Sequence, residues 1–405
     1  MKKRVISLLL ALVLALGLLP TAAFAAGTGA VDDPIEISSE AELKDFRMRV
    51  NNGEKSLCAK LTTDIQLSEN WTPFAPGDGY ISNAFGGTFD GNNHTIKNLT
   101  VTNGDGLFAS VNGATIKNLK VEGTISGTSA NVGGIVGKTQ GKVTITNCSF
   151  TGSVSTSKSG SSNAAGGIVG RVNAGTLKVE NCANHATVTA EKASAAGIIG
   201  YGGSNKVTIT NCYNDGAISG QWYPSGICAQ NTKGTSKIQE CFNSGSISNT
   251  NGGTYCAGIS ANFKGEAPNC YRTEPGSENV GNNKNGTSIL LKNSDAVKNE
   301  LTDIGFLVSD DGKVSLPWET SSTPAEKNPR ITISGNKTMN QTTDGSKQST
   351  TLEAKQVDID DAQDVEWTIE SGADVIELEQ PAGANEHNSS IIVKELQPGL
   401  ATIRA

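Results

Sequence analysis

The stretch Gly134-Ile135-Val136-Gly137 is one of six related copies that lie between residues 106 and 261. The other copies are Gly106-Leu107-Phe108-Ala109, Gly167-Ile168-Val169-Gly170, Gly197-Ile198-Ile199-Gly200, Gly226-Ile227-Cys228-Ala229 and Gly258-Ile259-Ser260-Ala261. Successive copies lie roughly 30 residues apart, a period typical of chains built from one repeated supersecondary unit. The repeat therefore governs the fold of this part of the chain.

Two more segments recur in each period. The first is an apolar residue, any residue, Asn, and then Leu or Cys, as in Ile145-Thr146-Asn147-Cys148; the second is Gly-x-[Val/Ile]-Ser, as in Gly152-Ser153-Val154-Ser155. Three short β-branched runs separated by Gly, Asn and Ser predict three short strands joined by turns. Because three strands cannot bury their own apolar face, the units must stack, and we predict a parallel β-solenoid with one unit per coil.

Stacking places equivalent residues about 4.8 Å apart, at the spacing of neighbouring strands. One inward column is Ile96, Ile116, Ile145, Val179, Ile209 and Ile238, and another is Leu107, Ile135, Ile168, Ile198, Ile227 and Ile259. Alternate residues such as Thr144 and Thr146 point outward, as the period of two in a strand requires. The recurring Asn tolerates left-handed backbone and can hydrogen-bond to its own copy one coil away.

These units resemble the GLUG-motif repeats of bacterial secreted proteins, and residues 89–99 are similar to the coil that opens such arrays. The resemblance covers about residues 35–320. It implies a right-handed parallel β-helix of about six to seven coils. It implies no catalytic residues, because GLUG arrays carry none that are common to the family.

The ends of the chain predict further parts. Residues 1–26 are a predicted signal peptide, with a basic start, an apolar run from Val5 to Leu19 and a small-x-small site at Ala23-Phe24-Ala25; the apolar run is too short for a membrane anchor. Residues 27–74 form a predicted N-terminal cap whose helix carries Leu43, Phe46 and Val50 on one face after a capping box.

The β-helix is predicted over residues 75–271. Residues 272–319 are a predicted C-terminal cap, with a helix from Ser294 to Leu307 and a strand over 312–319 that ends in an aromatic plug. Residues 320–329 are a linker by composition.

Residues 330–405 predict a separate all-β domain. Its strands are expected at 330–333, 365–369, 375–378, 390–393 and 401–403, a spacing typical of a β-sandwich. Val365-Glu366-Trp367-Thr368-Ile369 and Pro398-Gly399-Leu400-Ala401-Thr402-Ile403 resemble bacterial Ig-like group 2 domains. That resemblance implies a stalk or adhesion module with Trp367 in its core.

The eight cysteines are Cys58, Cys148, Cys182, Cys212, Cys228, Cys241, Cys256 and Cys270. Five of them share one repeat position, which is occupied by Leu in earlier coils and is therefore an inward apolar site. We expect a ladder of reduced thiols, because in-register Cβ atoms are too far apart for a disulfide; the pair Cys228 and Cys256 is the strongest exception. Zinc is not expected, because His94, His185 and His387 are scattered and no CxxC pair occurs.

Several side chains are candidate functional residues. A carboxylate pair among Asp78, Asp90 and Asp105 would suit glycoside chemistry, but Asp beside Gly more often satisfies turn donors. The aromatic set is Tyr213, Trp222, Tyr223, Phe242, Tyr255 and Phe263; stacking on sugars is one role, and packing is the favoured one. The acidic set is Asp358, Asp360, Asp361 and Asp364, for which a solvated strand edge is favoured over calcium binding.

Charges interrupt the outward Thr-x-Thr rows, so an ice-binding surface is not expected. We predict no catalytic, cofactor-binding or metal-binding residues.

The formal net charge of −7 argues against nucleic acid and anionic membranes as partners. After signal cleavage no segment is apolar enough to insert into a membrane. We expect an extracellular protein, with surface attachment as one option, whose partners are glycans or surface proteins, and the oligomeric state is left open.

Three functions remain at this point. The favoured one is a non-catalytic, adhesin-like surface protein that presents the β-helix on an Ig-like stalk. A polysaccharide-active lyase or glycosidase is the second, and it requires clustered Asp, Lys or Arg on one face of the coils. A non-catalytic region of a larger surface protease is the third, and the absence of His-Glu-x-x-His excludes this chain as the catalytic part.

Overall fold

The computed structural model describes two compact units, Met1–Pro324 and Ala325–Ala405. The described residues of the first are 26–76, 84–102, 105–127, 129–252, 256–273, 289–291 and 294–320. Those of the second are 330–335, 349–357, 368–371, 376–379, 390–395 and 402–404. The predicted signal peptide and linker lie outside these ranges except for Ala26 and Thr320, as do Asp78, Tyr255, Trp367, His387 and the acidic set at 358–364.

The first unit begins with β1 (Ile35–Ile37), α1 (Glu40–Asn51), β2 (Ala59–Leu61) and β3 (Ile65–Gln66). The coils contain β4 (Thr88–Asp90), β5 (Thr95–Thr102), β6 (Phe108–Asn112), β7 (Thr115–Gly127), β8 (Asn131–Gly133), β9 (Val136–Gln140), β10 (Lys142–Thr156), β11 (Gly160–Gly166), β12 (Val169–Val172), β13 (Thr176–Glu180), β14 (Ala183–Ala196), β15 (Ile199–Tyr201), β16 (Lys206–Thr210), β17 (Tyr213–Asn214), β18 (Ile218–Ser225), β19 (Gln230–Asn231), β20 (Lys237–Gln239), β21 (Phe242–Asn243), β22 (Ile247–Asn249), β23 (Asn262–Phe263) and β24 (Tyr271–Arg272). The C-terminal segment contains β25 (Ile289–Leu290), α2 (Ser294–Asp303), β26 (Leu307–Val308), β27 (Val314–Ser315) and α3 (Pro317–Thr320).

The coils stack in parallel and in register. The inward column pairs Ile116 with Ile145, Val179, Ile209 and Ile238 in turn, and all five side chains are buried. The prediction was wrong for Ile96, which pairs with Val121, while Phe89 pairs with Ile116. A second parallel sheet consists of β6, β9, β12 and β15. The prediction of a stacked parallel solenoid is therefore confirmed, as an all-β fold of about seven turns. The right-handed sense stays a prediction.

Helix α1 begins as the sequence predicted. The Ser39 hydroxyl accepts a hydrogen bond from the Glu42 backbone N–H, and the Glu42 carboxylate accepts from the backbone and hydroxyl of Ser38. The helix buries Leu43, Phe46 and Val50 against the interior of the first coils. Capping of the helix start therefore fixes which face meets the coils.

The recurring Asn forms an amide ladder. Asn118, Asn147, Asn181 and Asn211 all have left-handed backbone, with φ between 51° and 53°. Each Nδ2 donates to the Oδ1 of the copy one coil earlier, at 3.0 Å for Asn147, 3.1 Å for Asn181 and 2.8 Å for Asn211. The Asn118 Nδ2 donates to the Asp90 carboxylate at 3.0 Å, and this is the last hydrogen bond of the ladder.

A second amide ladder was not predicted. Asn184, Asn214 and Asn243 are fully buried, and Nδ2 of each of the first two donates to Oδ1 of the next copy at 2.7 Å. Each Nδ2 also donates to the carbonyl two residues further on. A Cβ at Gly167 or Gly197 would overlap the amide oxygen beneath it, so this ladder explains the first glycine of the repeated motif.

The cysteine ladder is present as thiols. The five cysteines at the shared position are fully buried: Cys148, Cys182, Cys212, Cys241 and Cys270. The structure holds all eight cysteines as thiols, and Cys228 and Cys256 do not form a disulfide. Burial raises the pKa of the Cys148 and Cys212 thiols well above the ordinary value, which keeps these side chains neutral in the apolar interior.

One local prediction was wrong. Residues 317–320 form the short helix α3 rather than the end of a strand. Pro317 suits the first helical position because it lacks an N–H, and the Glu319 carboxylate accepts from the Leu316 backbone N–H at 2.9 Å. The predicted helix that begins at Ser294 is present but ends at Asp303, before Leu307.

The second unit contains β28 (Arg330–Gly335), β29 (Ser349–Val357), β30 (Thr368–Ser371), β31 (Ile376–Glu379), β32 (Ser390–Glu395) and β33 (Thr402–Arg404). Four of these strands form an antiparallel sheet in the order β28, β29, β32, β31, and β30 pairs with β33. The sequence analysis missed β29. The Ig-like assignment stays a prediction.

Replacing Asn181 by Ala is expected to lower the free energy of unfolding by about 2 to 3 kcal/mol. The variant loses two ladder hydrogen bonds and forces a left-handed angle on a residue with a Cβ. Asn181→Gly adopts that angle freely and loses only the amide, so we expect about 1 to 2 kcal/mol. Guanidinium denaturation followed by circular dichroism measures both, and wild-type midpoints for both variants would show that the ladder contributes nothing.

Replacing Glu240 by Asn is expected to stabilise the protein by about 1 kcal/mol. Position 240 has the left-handed angle of the Asn ladder, with φ of 54°, and the buried Asn211 Oδ1 that faces the next coil has no hydrogen-bond partner. An Asn at 240 would supply the missing donor. Glu240→Ala is the control, since it supplies no donor; equal thermal midpoints for the two variants would contradict the prediction.

Candidate functional site

Residues 314–320, which we call the strap, lie on one outer face of the coils. The strap buries Leu316 and Trp318 in a cluster with Tyr213 and Phe242. The indole N–H of Trp318 donates to the Asn181 carbonyl at 2.8 Å. The strap therefore covers the row of aromatic side chains that successive coils present.

The strap completes a group of ionisable side chains that we call the His185 cluster: His185, Tyr213, Asp215 and Glu319. The His185 Nδ1 lies 2.9 Å from the Asp215 carboxylate, and its Nε2 lies 2.8 Å from the Glu319 carboxylate. The Tyr213 hydroxyl donates to Asp215 at 2.7 Å. His185 and Asp215 come from adjacent coils, and Glu319 comes from α3.

The electrostatics favour a charged imidazole. Burial alone would lower the pKa of His185, but hydrogen bonds to Asp215 and Glu319 raise it to about 10. Burial works against Asp215 too, but the hydrogen bond and charge of His185 hold the pKa of that carboxyl below its ordinary value. Burial and the charge of Asp215 raise the pKa of Tyr213. At neutral pH the cluster is an imidazolium between two carboxylates.

This arrangement is suited to holding the strap rather than to catalysis. A general base needs a nitrogen lone pair near neutral pH, and both ring nitrogens of His185 are engaged as donors. No described hydroxyl or thiol nucleophile hydrogen-bonds to the imidazole. Lys120 also holds the strap in place, because its ammonium group donates a hydrogen bond to the Glu319 carbonyl at 2.9 Å.

The predicted carboxylate candidates are not brought together as an acid pair. Asp90 accepts from the Asn92 backbone N–H and from Asn118, and it lies 3.2 Å from the Lys117 ammonium group. Asp105 forms a separate ion pair with Lys138 at 3.0 Å. Asp90 therefore accepts a hydrogen bond from a turn donor, the role that the sequence favoured, whereas the ion pair of Asp105 was not predicted.

Three of the six aromatic candidates pack inside the protein. Tyr213 and Phe242 are buried beneath the strap with their rings stacked at a centroid distance of 5.8 Å, and Phe263 is buried in the coils. Trp222 is 39% exposed, beside Tyr223, whose backbone is left-handed with φ of 51°. The packing interpretation is confirmed for the three buried rings, and Trp222 remains a surface residue.

The outward threonine rows are interrupted as predicted. Lys178 and Lys237 stand in register with Thr144 and Thr208, and Glu180 and Gln239 with Thr146 and Thr210. Across the described ranges, no three His, Cys, Asp or Glu residues are grouped to hold a metal ion. Nor does any helix in the described part of the chain have the length and hydropathy needed to cross a bilayer.

Sequence reasoning missed the His185 cluster. It treated His185 as one of three scattered histidines, and the partner Glu319 is 134 residues away along the chain. Asp215 is 30 residues away, or one coil, so the repeat period was the only signal for that half of the cluster. Nothing in the pattern indicated where the strap would lie.

Comparisons with known proteins point to the same architecture. The GLUG motif matches residues 128–155. The motif match and the stacked coils together support a GLUG-repeat β-helix. Halomucin from Haloquadratum walsbyi is 31% identical over 158 residues, a match that covers 36% of this chain and 2% of the length of halomucin.

Two solved structures are similar to parts of this chain. One is a proposed immunoglobulin A1 protease from Bacteroides ovatus, with a TM-score of 0.58 and 23% identity over 72% of this chain and 94% of the other. The second is named IgA1 protease and has a TM-score of 0.43, 13% identity and coverage of 59% and 21%. The first likeness shows a shared fold.

Replacing His185 by Asn is expected to lower the free energy of unfolding by about 3 kcal/mol near neutral pH, because it leaves two carboxylates without their cation. In the wild type the stabilisation from His185 is complete below pH 6.5 and is lost as the pH rises through about 10. The stabilisation from Asp215 is present above pH 3.8 and is lost as the pH falls further.

Denaturation midpoints from pH 3 to 11 measure these changes, and proteolysis near residue 320 reports release of the strap. His94→Asn is the matched control, because His94 makes a longer, 3.4 Å contact with Asp64. A His185→Asn variant that keeps the wild-type pH profile would show that the cluster does not hold the strap.

Proposed function

We propose that this chain is an exported, non-catalytic surface protein whose β-helix binds glycans or surface proteins and is presented by an Ig-like C-terminal unit. One observation carries the proposal. The side chains best suited to catalysis are each occupied by a partner within the fold: His185 by two carboxylates, Asp90 by Asn118 and Lys117, and Asp105 by Lys138. Their chemistry is used to hold the coils and the strap together.

The shape of the coils supports binding. Stacked coils present rows of outward side chains at a constant spacing of about 4.8 Å, which suits extended ligands that repeat along their own length. The export part of the proposal rests on the residue pattern of 1–26. The stalk part rests on the antiparallel strands of the second unit and on its sequence resemblance to Ig-like domains.

A second proposal is a non-catalytic region of a larger surface protease. The structure from Bacteroides ovatus with the same fold is described as a proposed immunoglobulin A1 protease. The likeness between the two chains is one of fold, and this chain has no His-Glu-x-x-His motif. Under this proposal the β-helix would position a catalytic part that lies elsewhere.

Incubation of the mature chain with polyuronates, neutral polysaccharides and immunoglobulin A1 is expected to give no cleavage products. A glycan array and binding to purified surface proteins are expected to show retention of the folded chain, while heat-denatured chain serves as the control. Turnover of any polysaccharide that is lost in a carboxylate variant would overturn the non-catalytic assignment. Retention on neither panel would leave the β-helix as a spacer and would contradict the binding role.

A further inference from the structure

The second parallel sheet presents a row of polar side chains on successive coils. Lys138, Arg171 and Tyr201 are in register on β9, β12 and β15. Gln230 follows one coil later, where its carbonyl accepts from the Gly202 backbone N–H at 2.7 Å, and Asn262 pairs with Gln230. The row rises about 4.8 Å per coil, which is close to the length of one sugar unit in an extended chain.

Arg171 is held in a fixed orientation. Its guanidinium carbon lies 4.6 Å from the centre of the Tyr201 ring, and its Nη1 donates to the Ser162 carbonyl at 2.6 Å. These two contacts set the plane of the guanidinium group. A planar fork that is already oriented loses little entropy when it binds an anion.

The opposite edge of that guanidinium group has no acceptor among the described residues. Arg171 Nε is buried without a hydrogen-bond partner, and no acceptor for Nη2 and no carboxylate lies within bonding distance among the described residues. Nε and Nη2 are the two parallel donors with which arginine binds a carboxylate or sulfate in bidentate fashion. An unpaired buried donor on a charged group is costly, so an anionic ligand would gain from satisfying it.

The charge balance of the row points to an anion as well. Lys138 is neutralised by Asp105 in an ion pair whose side chains are 14% and 8% exposed. Arg171 is therefore the positive charge of the row that no carboxylate among the described residues neutralises. Further along, Gln230 Oε1 is buried without a partner and is suited to accept from a sugar hydroxyl.

We propose that this row is a subsite for an acidic polysaccharide, with Arg171 binding the carboxylate or sulfate group and Gln230, two coils further along, accepting from a hydroxyl of the sugar two units away. The inference rests on the proposed glycan binding and adds its ligand class and its place. Tyr201 orients Arg171, and its own hydroxyl, which has no partner in the described part of the chain, extends the polar row.

The test measures binding of the mature full-length protein to four oligosaccharides of equal length: an oligogalacturonate, its methyl ester, a sulfated glycan and a neutral glucan. Arg171→Ala is expected to weaken binding of the acidic ligands about 10- to 100-fold. Arg171→Lys keeps the charge but cannot form the fork, so we expect about a tenfold loss. Lys142→Ala is the matched control, because it removes an exposed positive charge from the other sheet and should leave binding unchanged.

Gln230→Glu gives a second variant if Arg171→Ala unfolds, as judged by circular dichroism. Its new carboxylate would repel an anionic ligand, so binding of the acidic oligosaccharides should fall. Loss of uronate binding alone, or of sulfated-glycan binding alone, supports the subsite and identifies the anionic group.

Two results separate failure of this inference from failure of the proposed function. Acidic ligands that bind Arg171→Ala and Arg171→Lys as tightly as wild type, or a wild type that binds only the neutral glucan and the methyl ester, would overturn the subsite and leave glycan binding in place. No binding of any glycan by folded wild-type protein would overturn both the subsite and the glycan-binding part of the proposed function.

Discussion

Side-chain amides hydrogen-bond from coil to coil along the axis of the solenoid, in the same direction as the backbone hydrogen bonds between coils. The rest of the structure depends on the register between coils that these bonds set. Asn147, Asn181 and Asn211 each donate to the copy one coil earlier, and the Asp90 carboxylate accepts the last hydrogen bond of the ladder, from Asn118. A shift of one residue would break every bond of the ladder and turn aliphatic side chains outward. The same register stacks the thiols and brings the glycines of the motif over the second ladder of Asn184, Asn214 and Asn243.

The chemistry of this protein is largely used to hold its own fold together. His185 resembles a catalytic residue when its neighbours Asp215 and Tyr213 are considered alone. Glu319 from the strap hydrogen-bonds to the remaining ring nitrogen. The group is therefore a set of ion pairs that holds the strap on the coils. Arg171 differs because, among the described residues, no carboxylate pairs with it and its buried Nε has no acceptor. The contrast between these two sites explains why we place ligand binding on the second sheet and not beneath the strap.

Prediction from the sequence succeeded where one coil repeats another. The shared slot of Leu119 and Cys148 indicated an inward apolar position, and both side chains are fully buried. The recurring Asn indicated left-handed backbone, and the φ angles agree. Prediction failed at α3, because the strand over Val314-Ser315-Leu316 was extended past Pro317, where proline and the Glu319 cap start a helical turn. It also missed the second Asn ladder, because Phe150 occupies the same position in the preceding coil and hides the repeat.

The amino-acid pattern by itself determined the coil, its period, its inward columns and its thiol ladder, because each of these follows from contacts between residues about one period apart. Only the tertiary structure decided which partners meet across long separations. The strap reaches Lys120, Asn181 and His185 from 134 or more residues away. Such contacts depend on where a chain folds back in space, and no periodicity encodes that.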